Sequence, residues 1–323
     1  MLADNTSLKS NPNRNNIKPV KFVVLVLAAV GAVVFTVVSS YSDSIAQDAL
    51  KKTDSISSQK TADATKQSDP ENMKKLVALN KLKTDLKNYI AKYKGKFGIY
   101  YISLTDGTEF GINEMEPIKA ASTVKVPINL YFYQKAAQGK IKLDSTMTYT
   151  SGDYATGTGS IQYGKTGRKF SVKELSRLSI VESDNVATNM LVRLLGKRNY
   201  KDFMKQMGGK IVNYDDNLSC AKDMALYVKK TYEFAKSNPV QGGLMIKYLE
   251  NTIFNDRLPV KLPKGIKVAH KIGNYQEAVN DVGIVYTAKP YVIAVMTKNA
   301  NLSGVNNVIA TISKMVYDYS IKN

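Results

Sequence analysis

The sequence is poor in the residues that build metal sites and covalent cross-links. Its 323 residues contain one cysteine, Cys220, and one histidine, His270. A single thiol cannot close an internal disulfide, and one thiolate with one imidazole falls short of the ligand set of a zinc centre. No carboxylate loop of metal-binding form is present either, so neither a metal nor another cofactor is expected. Acidic residues are also scarce. The chain has 27 Asp+Glu against 46 Lys+Arg, a formal net charge of +19. That excess favours polyanionic surroundings such as nucleic acid, anionic lipid headgroups or cell-wall polymers, and charge alone does not choose among them.

Charge is missing altogether from Phe22 to Val38, "FVVLVLAAVGAVVFTVV", while Lys9, Arg14, Lys18 and Lys21 precede this run against only Asp4. At about 1.5 Å per residue the run nearly spans the roughly 30 Å hydrocarbon core of a bilayer. The positive-inside rule then makes 1–21 a cytoplasmic basic arm and 22–40 a single transmembrane anchor, with everything after Ser40 outside the cell membrane. The rival is a cleaved signal peptide, for which "VVSSYSDSIA" offers weak small-x-small sites. Both readings export the remainder, and with no nucleic-acid motif present they set nucleic acid aside as a partner. Large apolar residues are nearly absent between Tyr41 and Asp69, so 41–70 reads as a solvated tether.

The folded part is expected over 71–323. Met73, Leu76, Val77, Leu86, Tyr89, Ile90 and Tyr93 recur at helical spacing and mark a first helix. "FGIYYISLTDGTEFGIN" gives two strands about an Asp106-Gly107 turn. "GIKVAHKIG", "NDVGIVYT" and "PYVIAVMTKN" give three more, before a last helix from Val305 to Ile321. Strands near both ends enclose a helix-rich middle from Ser122 to about Leu249. The reading is one domain of two lobes, an α/β lobe built from both ends of the folded part and an inserted all-α lobe.

Within that middle, "AASTVKVPINL" places Ser122 three residues before Lys125. The spacing is weak evidence by itself, because Ser57–Lys60 and Ser219–Lys222 share it. Ser57 lies in the tether, and Ser219 reads as a cap for the helix "AKDMALYVKK". For Ser122 and Lys125 the chemistry is coherent. A serine hydroxyl needs a base, a lysine at i+3 shares its helical face, and burial or a neighbouring cation would keep that lysine neutral. Pro127 is the awkward residue, for which a slight kink is expected. Two further motifs accompany the pair: "SDN" at Ser183, Asp184 and Asn185, and "KIG" at Lys271, Ile272 and Gly273. Helix capping would also explain the first, and an exposed strand lysine the second.

Taken together, SxxK, SDN and a KTG-like motif resemble the signature set of the class A β-lactamase and penicillin-binding-protein superfamily of serine acyl-enzymes. The resemblance runs from about Met73 to the C-terminus and includes "GKIKLDSTMTYT", "GTGSIQYG", "VESDNVATNMLVRLLG" and "NDVGIVY". It implies an α/β (α+β) fold in which terminal helices flank a five-stranded antiparallel sheet with a helical lobe beside it. It also implies roles. Ser122 is the nucleophile and Lys125 its base. Ser183 relays a proton to the leaving nitrogen, Asn185 binds the substrate amide and Lys125, and Lys271 anchors the substrate carboxylate. The N–H groups of Ser122 and Asn274 form the oxyanion hole, with Gly273 giving close approach. Asp184 holds the backbone of its loop, and His270 is structural or rim-lining.

Two departures limit what the resemblance carries. Ile272 stands where a hydroxyl residue is usual, which removes a hydrogen bond to the substrate carboxylate. β-Lactamase members carry a glutamate on the loop after the SDN helix to position water, whereas here no glutamate occurs between Glu182 and Glu233. Asp215 or Asp216 is the possible substitute. Three functions follow as expectations. The first is a membrane-tethered extracellular serine hydrolase acylated by β-lactams or D-Ala-D-Ala-type peptidoglycan peptides, with slow deacylation and anionic cell-wall polymers as neighbours. The second is an efficient β-lactamase. The third is an acylated or ligand-binding sensor without turnover.

Overall fold

The computed structural model describes residues 70–323, apart from 277 and 301. The basic arm, the apolar run, the tether up to Asp69 and the Ser57–Lys60 pair lie outside the described residues, while Pro70, read as the end of the tether, begins the first helix. Among the described residues no helix is long and apolar enough to cross a membrane.

Helix α1 (Pro70–Ile90) opens the domain with Glu71 in its first turn, where a carboxylate suits the helix dipole. Its burial corrects the expected stripe. Leu82, Leu86 and Ile90 are buried, whereas Met73, Leu76 and Val77 are exposed. Apolar spacing marks the helix, but only its second half finds a partner surface.

The sheet has the order β2-β1-β9-β8-β7, with β1 (Lys96–Ser103), β2 (Glu109–Ile112), β7 (Lys267–Tyr275), β8 (Ala278–Tyr286) and β9 (Tyr291–Lys298). Every neighbouring pair is antiparallel. The first hairpin turns at Asp106-Gly107 as read from the sequence. Gly107 takes φ +75°, and Thr108 N donates to Asp106 Oδ1 at 3.0 Å. Because successive strand residues face opposite sides, the sheet divides its apolar side chains between two cores. Ile99, Tyr101, Ile293 and Val295 pack with α1 and the last helix, α8 (Leu302–Ser320). Tyr100, Ile102, Val292, Ala294 and Met296 pack toward the helical lobe.

That lobe contains α2 (Lys125–Ala137), α3 (Val172–Val181), α4 (Asn185–Leu195), α5 (Lys197–Gln206), α6 (Ala221–Ser237) and α7 (Gln241–Glu250). It also holds a short pair, β4 (Thr146–Thr148) with β5 (Lys169–Ser171), and two further short strands pair beside it, β3 (Ile118–Lys119) with β6 (Leu218–Ser219). This pairing corrects the cap assigned to Ser219. The backbone of Ser219 is committed to Ile118, so Cys220 is the cap of α6, with Sγ accepting from Asp223 N at 3.5 Å. Pro127 lies third in α2, inside its first turn, where proline is tolerated.

Candidate active site

Ser122 lies in a 3-10 turn, Ala121–Val124, that runs directly into α2. The turn has no side-chain cap. Instead it is entered through Ala121 at φ +50°, the left-handed region that residues with a Cβ rarely occupy. Lys125 begins α2 and is 3% exposed. Its Nζ donates to Ser183 O at 2.6 Å, Asn185 Oδ1 at 2.8 Å and Ser183 Oγ at 3.2 Å, and none of these three bonds goes to Ser122.

Ser183 and Asp184 join α3 to α4. Asp184 supplies the capping: Oδ1 accepts from Ala187 N at 2.8 Å, and Oδ2 accepts from Ile161 N at 2.9 Å. It therefore holds its loop, as its sequence context suggested, and leaves Ser183 and Asn185 for the lysines. Ser183 sits at φ +53° with its carbonyl also accepting from Thr158 Oγ1 at 2.6 Å. Asn185 Nδ2 donates to Thr156 O at 2.8 Å.

Lys271 is fully buried, not an exposed strand lysine. Its Nζ donates to Ser183 Oγ at 3.0 Å and to Ile272 O at 3.1 Å. The Ser183 hydroxyl thus lies between two amines. Burial lowers the pKa of both. Lys271 is brought down to about 7, with Asp281 opposing the shift and Arg257 adding to it. Lys125 falls well below the ordinary lysine value, through burial first and the charge of Lys271 second, against Asp184.

Strand β7 supplies the other wall. A Cβ on Gly273 would lie 2.7 Å from Ala120 O and 3.0 Å from Ser122 N, so only glycine allows this approach. Asn274 follows, and its Oδ1 accepts from Arg257 Nη2 at 2.6 Å. Ile272 is buried and brings no hydroxyl. His270, one residue before Lys271, faces the opposite side of the strand. Its Nδ1 is 2.8 Å from Asp281 Oδ1, a fully buried pair behind the site, and its Nε2 is 3.1 Å from Oδ1 of the exposed Asn255.

The two candidate aspartates are occupied elsewhere or exposed. Asp216 forms an ion pair with Lys119, which holds its carboxyl below the usual range, and Asp215 is exposed. Sequence reasoning missed Asn217, Arg257 and Asn280, all of which grip the backbone or side chains of the site. Asn280 and Asp281 had a legible signal: two polar residues inside an otherwise apolar strand, both fully buried.

A sheet flanked by terminal helices, with serine, paired lysines and a second serine at the seam of two lobes, defines the serine acyl-enzyme class. Residues 81–320 match the model of the β-lactamase enzyme family, and the chain belongs to that family. It is a serine hydrolase of the β-lactamase kind. The extended-spectrum β-lactamase PER-1 of Pseudomonas aeruginosa is 26% identical over 270 residues, covering 75% of this chain and 88% of that one. Among solved structures, an acyl-enzyme complex of a PBP-A variant with penicillin G is 27% identical with TM-score 0.71, covering 76% of this chain and 98% of that chain. A β-lactamase from Sphaerobacter thermophilus is 25% identical with TM-score 0.67, covering 75% and 97%.

Proposed function

We propose that the domain forms an acyl-enzyme on Ser122 with β-lactams or D-Ala-D-Ala-type cell-wall peptides and releases it slowly. The observation that carries this reading is the Ser183 hydroxyl 3.2 Å from Lys125 Nζ and 3.0 Å from Lys271 Nζ. Neutral Lys125 takes the Ser122 proton as Oγ bonds to the acyl carbon, and the N–H groups of Ser122 and Asn274 hold the resulting oxyanion. The proton then passes through Ser183 to the leaving nitrogen as the C–N bond breaks. Lys271 anchors the substrate carboxylate, whose approach restores the ammonium form that burial disfavours. Asn185 has a second Nδ2 proton for the substrate amide. Intact mass after incubation with penicillin G should show one acyl adduct per chain. No adduct, with the penicillin left intact, would exclude the acyl-enzyme.

The efficient β-lactamase is the second reading, favoured by the similarity to PER-1. Consumption of penicillin without a persistent adduct would select it. We also propose that the domain is tethered outside the cell by the apolar run Phe22–Val38, on the strength of the basic residues before it. Protease added to intact cells should then remove the domain. Protection from protease, or full release of a soluble form starting near Ser40, would refute the tether.

A further inference from the structure

The backbone just before Ser122 is held from two sides by amides that the acylation chemistry does not use. On the sheet side, Asn280 is fully buried. Its Nδ2 donates to Lys119 O at 2.8 Å and Ala120 O at 3.2 Å, while its Oδ1 accepts from Thr297 N at 3.0 Å. On the other side, Asn217 grips the same segment twice. Ala120 N donates to the Asn217 carbonyl at 2.8 Å, and Asn217 Nδ2 donates to Ala121 O at 3.0 Å. Ala121 is the residue at φ +50°, and such a conformation persists only where its surroundings enforce it. Its carbonyl is part of the peptide unit that supplies the Ser122 N–H, so fixing that carbonyl fixes the N–H as well.

Asn217 itself closes a loop that is tied down along its length. Asp223 Oδ2 accepts from Lys210 N at 2.8 Å and Ile211 N at 2.6 Å. Asn213 Oδ1 accepts from Asp215 N at 2.8 Å and Asp216 N at 3.1 Å. Buried Lys201 donates to Asp216 O at 3.2 Å, and the Asp216 carboxylate pairs with Lys119. A frame so fixed can transmit its geometry to the one turn it touches.

We propose that Asn217 is a positioning residue for acylation: from this loop it holds Ala121 in its left-handed conformation, and through it the hydroxyl and N–H of Ser122. The inference rests on the acyl-enzyme reading above. It assigns the loop to setting the nucleophile in the first half-reaction. The orientation of the amide follows from its partner, because an oxygen in place of Nδ2 would face the Ala121 carbonyl oxygen.

The test is stopped-flow acylation of the full chain by a fluorescent penicillin, separating the initial binding constant from the acylation rate constant, with thermal unfolding followed in parallel. Asn217→Asp keeps the size and loses the donor. Its acylation rate constant should fall about 10–100-fold, the scale of an ångström-level misplacement, with initial binding within about twofold. Asn217→Ser, which retains a short donor, should recover part of what Asn217→Ala loses. A folded Asn217→Asp that acylates at the wild-type rate overturns the proposal. If Asn217→Asp does not fold, Asn217→Ala and Asn217→Ser acylating at the wild-type rate overturn it equally. An altered melting temperature with an unchanged rate constant in the folded fraction marks a merely structural role and counts against it. Failure of the wild type to be acylated refutes the acyl-enzyme reading and this inference together, whereas wild-type acylation with indifferent Asn217 variants refutes the inference alone.

Discussion

Ser122→Ala is expected to abolish covalent labelling by a fluorescent penicillin, and Lys125→Ala to slow acylation by about 10²–10⁴-fold, the scale for a positioned general base. Ser219→Ala should label normally, since that side chain is buried against β3 and belongs to no amine pair. Ser57→Ala should also label normally. The pH dependence carries a sign. In its proposed role Lys125 is a base only when neutral, so acylation is expected to rise with pH through the apparent pKa of the Lys125–Lys271 pair and then level. Both lysines have pKa values lowered by folding, with Lys271 at about 7. Between that value and the unfolded lysine pKa of about 10.4, the unfolded chain binds more protons, so the lysine contribution to stability improves as pH rises across the window. Lys271→Met removes the cation that helps depress Lys125, and the rising limb should move to higher pH. Burial, the larger cause, remains, so the move is partial. An unmoved limb would show that the two amines are not coupled. Equal labelling of wild type and Ser122→Ala would end the acyl-enzyme reading outright.

Mixing with a chromogenic cephalosporin should give a burst of about one equivalent per chain, followed by slow turnover. The acylation proposed above draws on Ser122, Lys125, Ser183 and two backbone N–H groups. Release requires water held against the ester by a base, and the connection between α5 and β6 contains no glutamate. Of its aspartates, Asp216 is paired with Lys119 and Asp215 is exposed. Absence of such a base costs about 10²–10⁴-fold, or roughly 3–5 kcal/mol of barrier. Many turnovers per second with no burst, lost in Asp215→Ala or Asp216→Ala, would show that an aspartate does the glutamate's work.

Much of this site was legible because its side chains carry the chemistry and occur in compact motifs. Ser122 with Lys125, Ser183 with Asn185, and Lys271 with Gly273 could be read directly, and strand alternation places Lys271 and His270 on opposite faces. What the supports hold was not legible, even where a polar residue in an apolar strand, as at Asn280, could be noticed. Asn217 and Asn280 act on the carbonyls of Lys119, Ala120 and Ala121, and a backbone carbonyl leaves no trace in the sequence. Partners of that kind become visible only once distant segments are brought together. The first helix shows the same limit from the other side. Its apolar spacing includes Met73, Leu76 and Val77, yet burial depends on a facing surface that α1 meets from Leu79 onward. Similarly, Cys220 displaced Ser219 as a cap because strand pairing, a non-local event, settles where α6 begins.

The register of the central sheet bears on when the enzyme comes into being. Strand β1, among the first segments of the domain to be made, pairs along its whole length with β9, from Lys96 opposite Lys298 to Ser103 opposite Tyr291. Until β9 has been synthesised, β1 has only the four-residue β2 beside it, and the β7–β8 hairpin, which carries the second amine of Ser183, has no strand to join it to β1. Pairing so distant in sequence delays folding. A nascent or truncated chain ending before β9 is therefore expected to have neither a closed core nor a competent nucleophile, and hydrolytic activity arises only when the two ends of the domain meet.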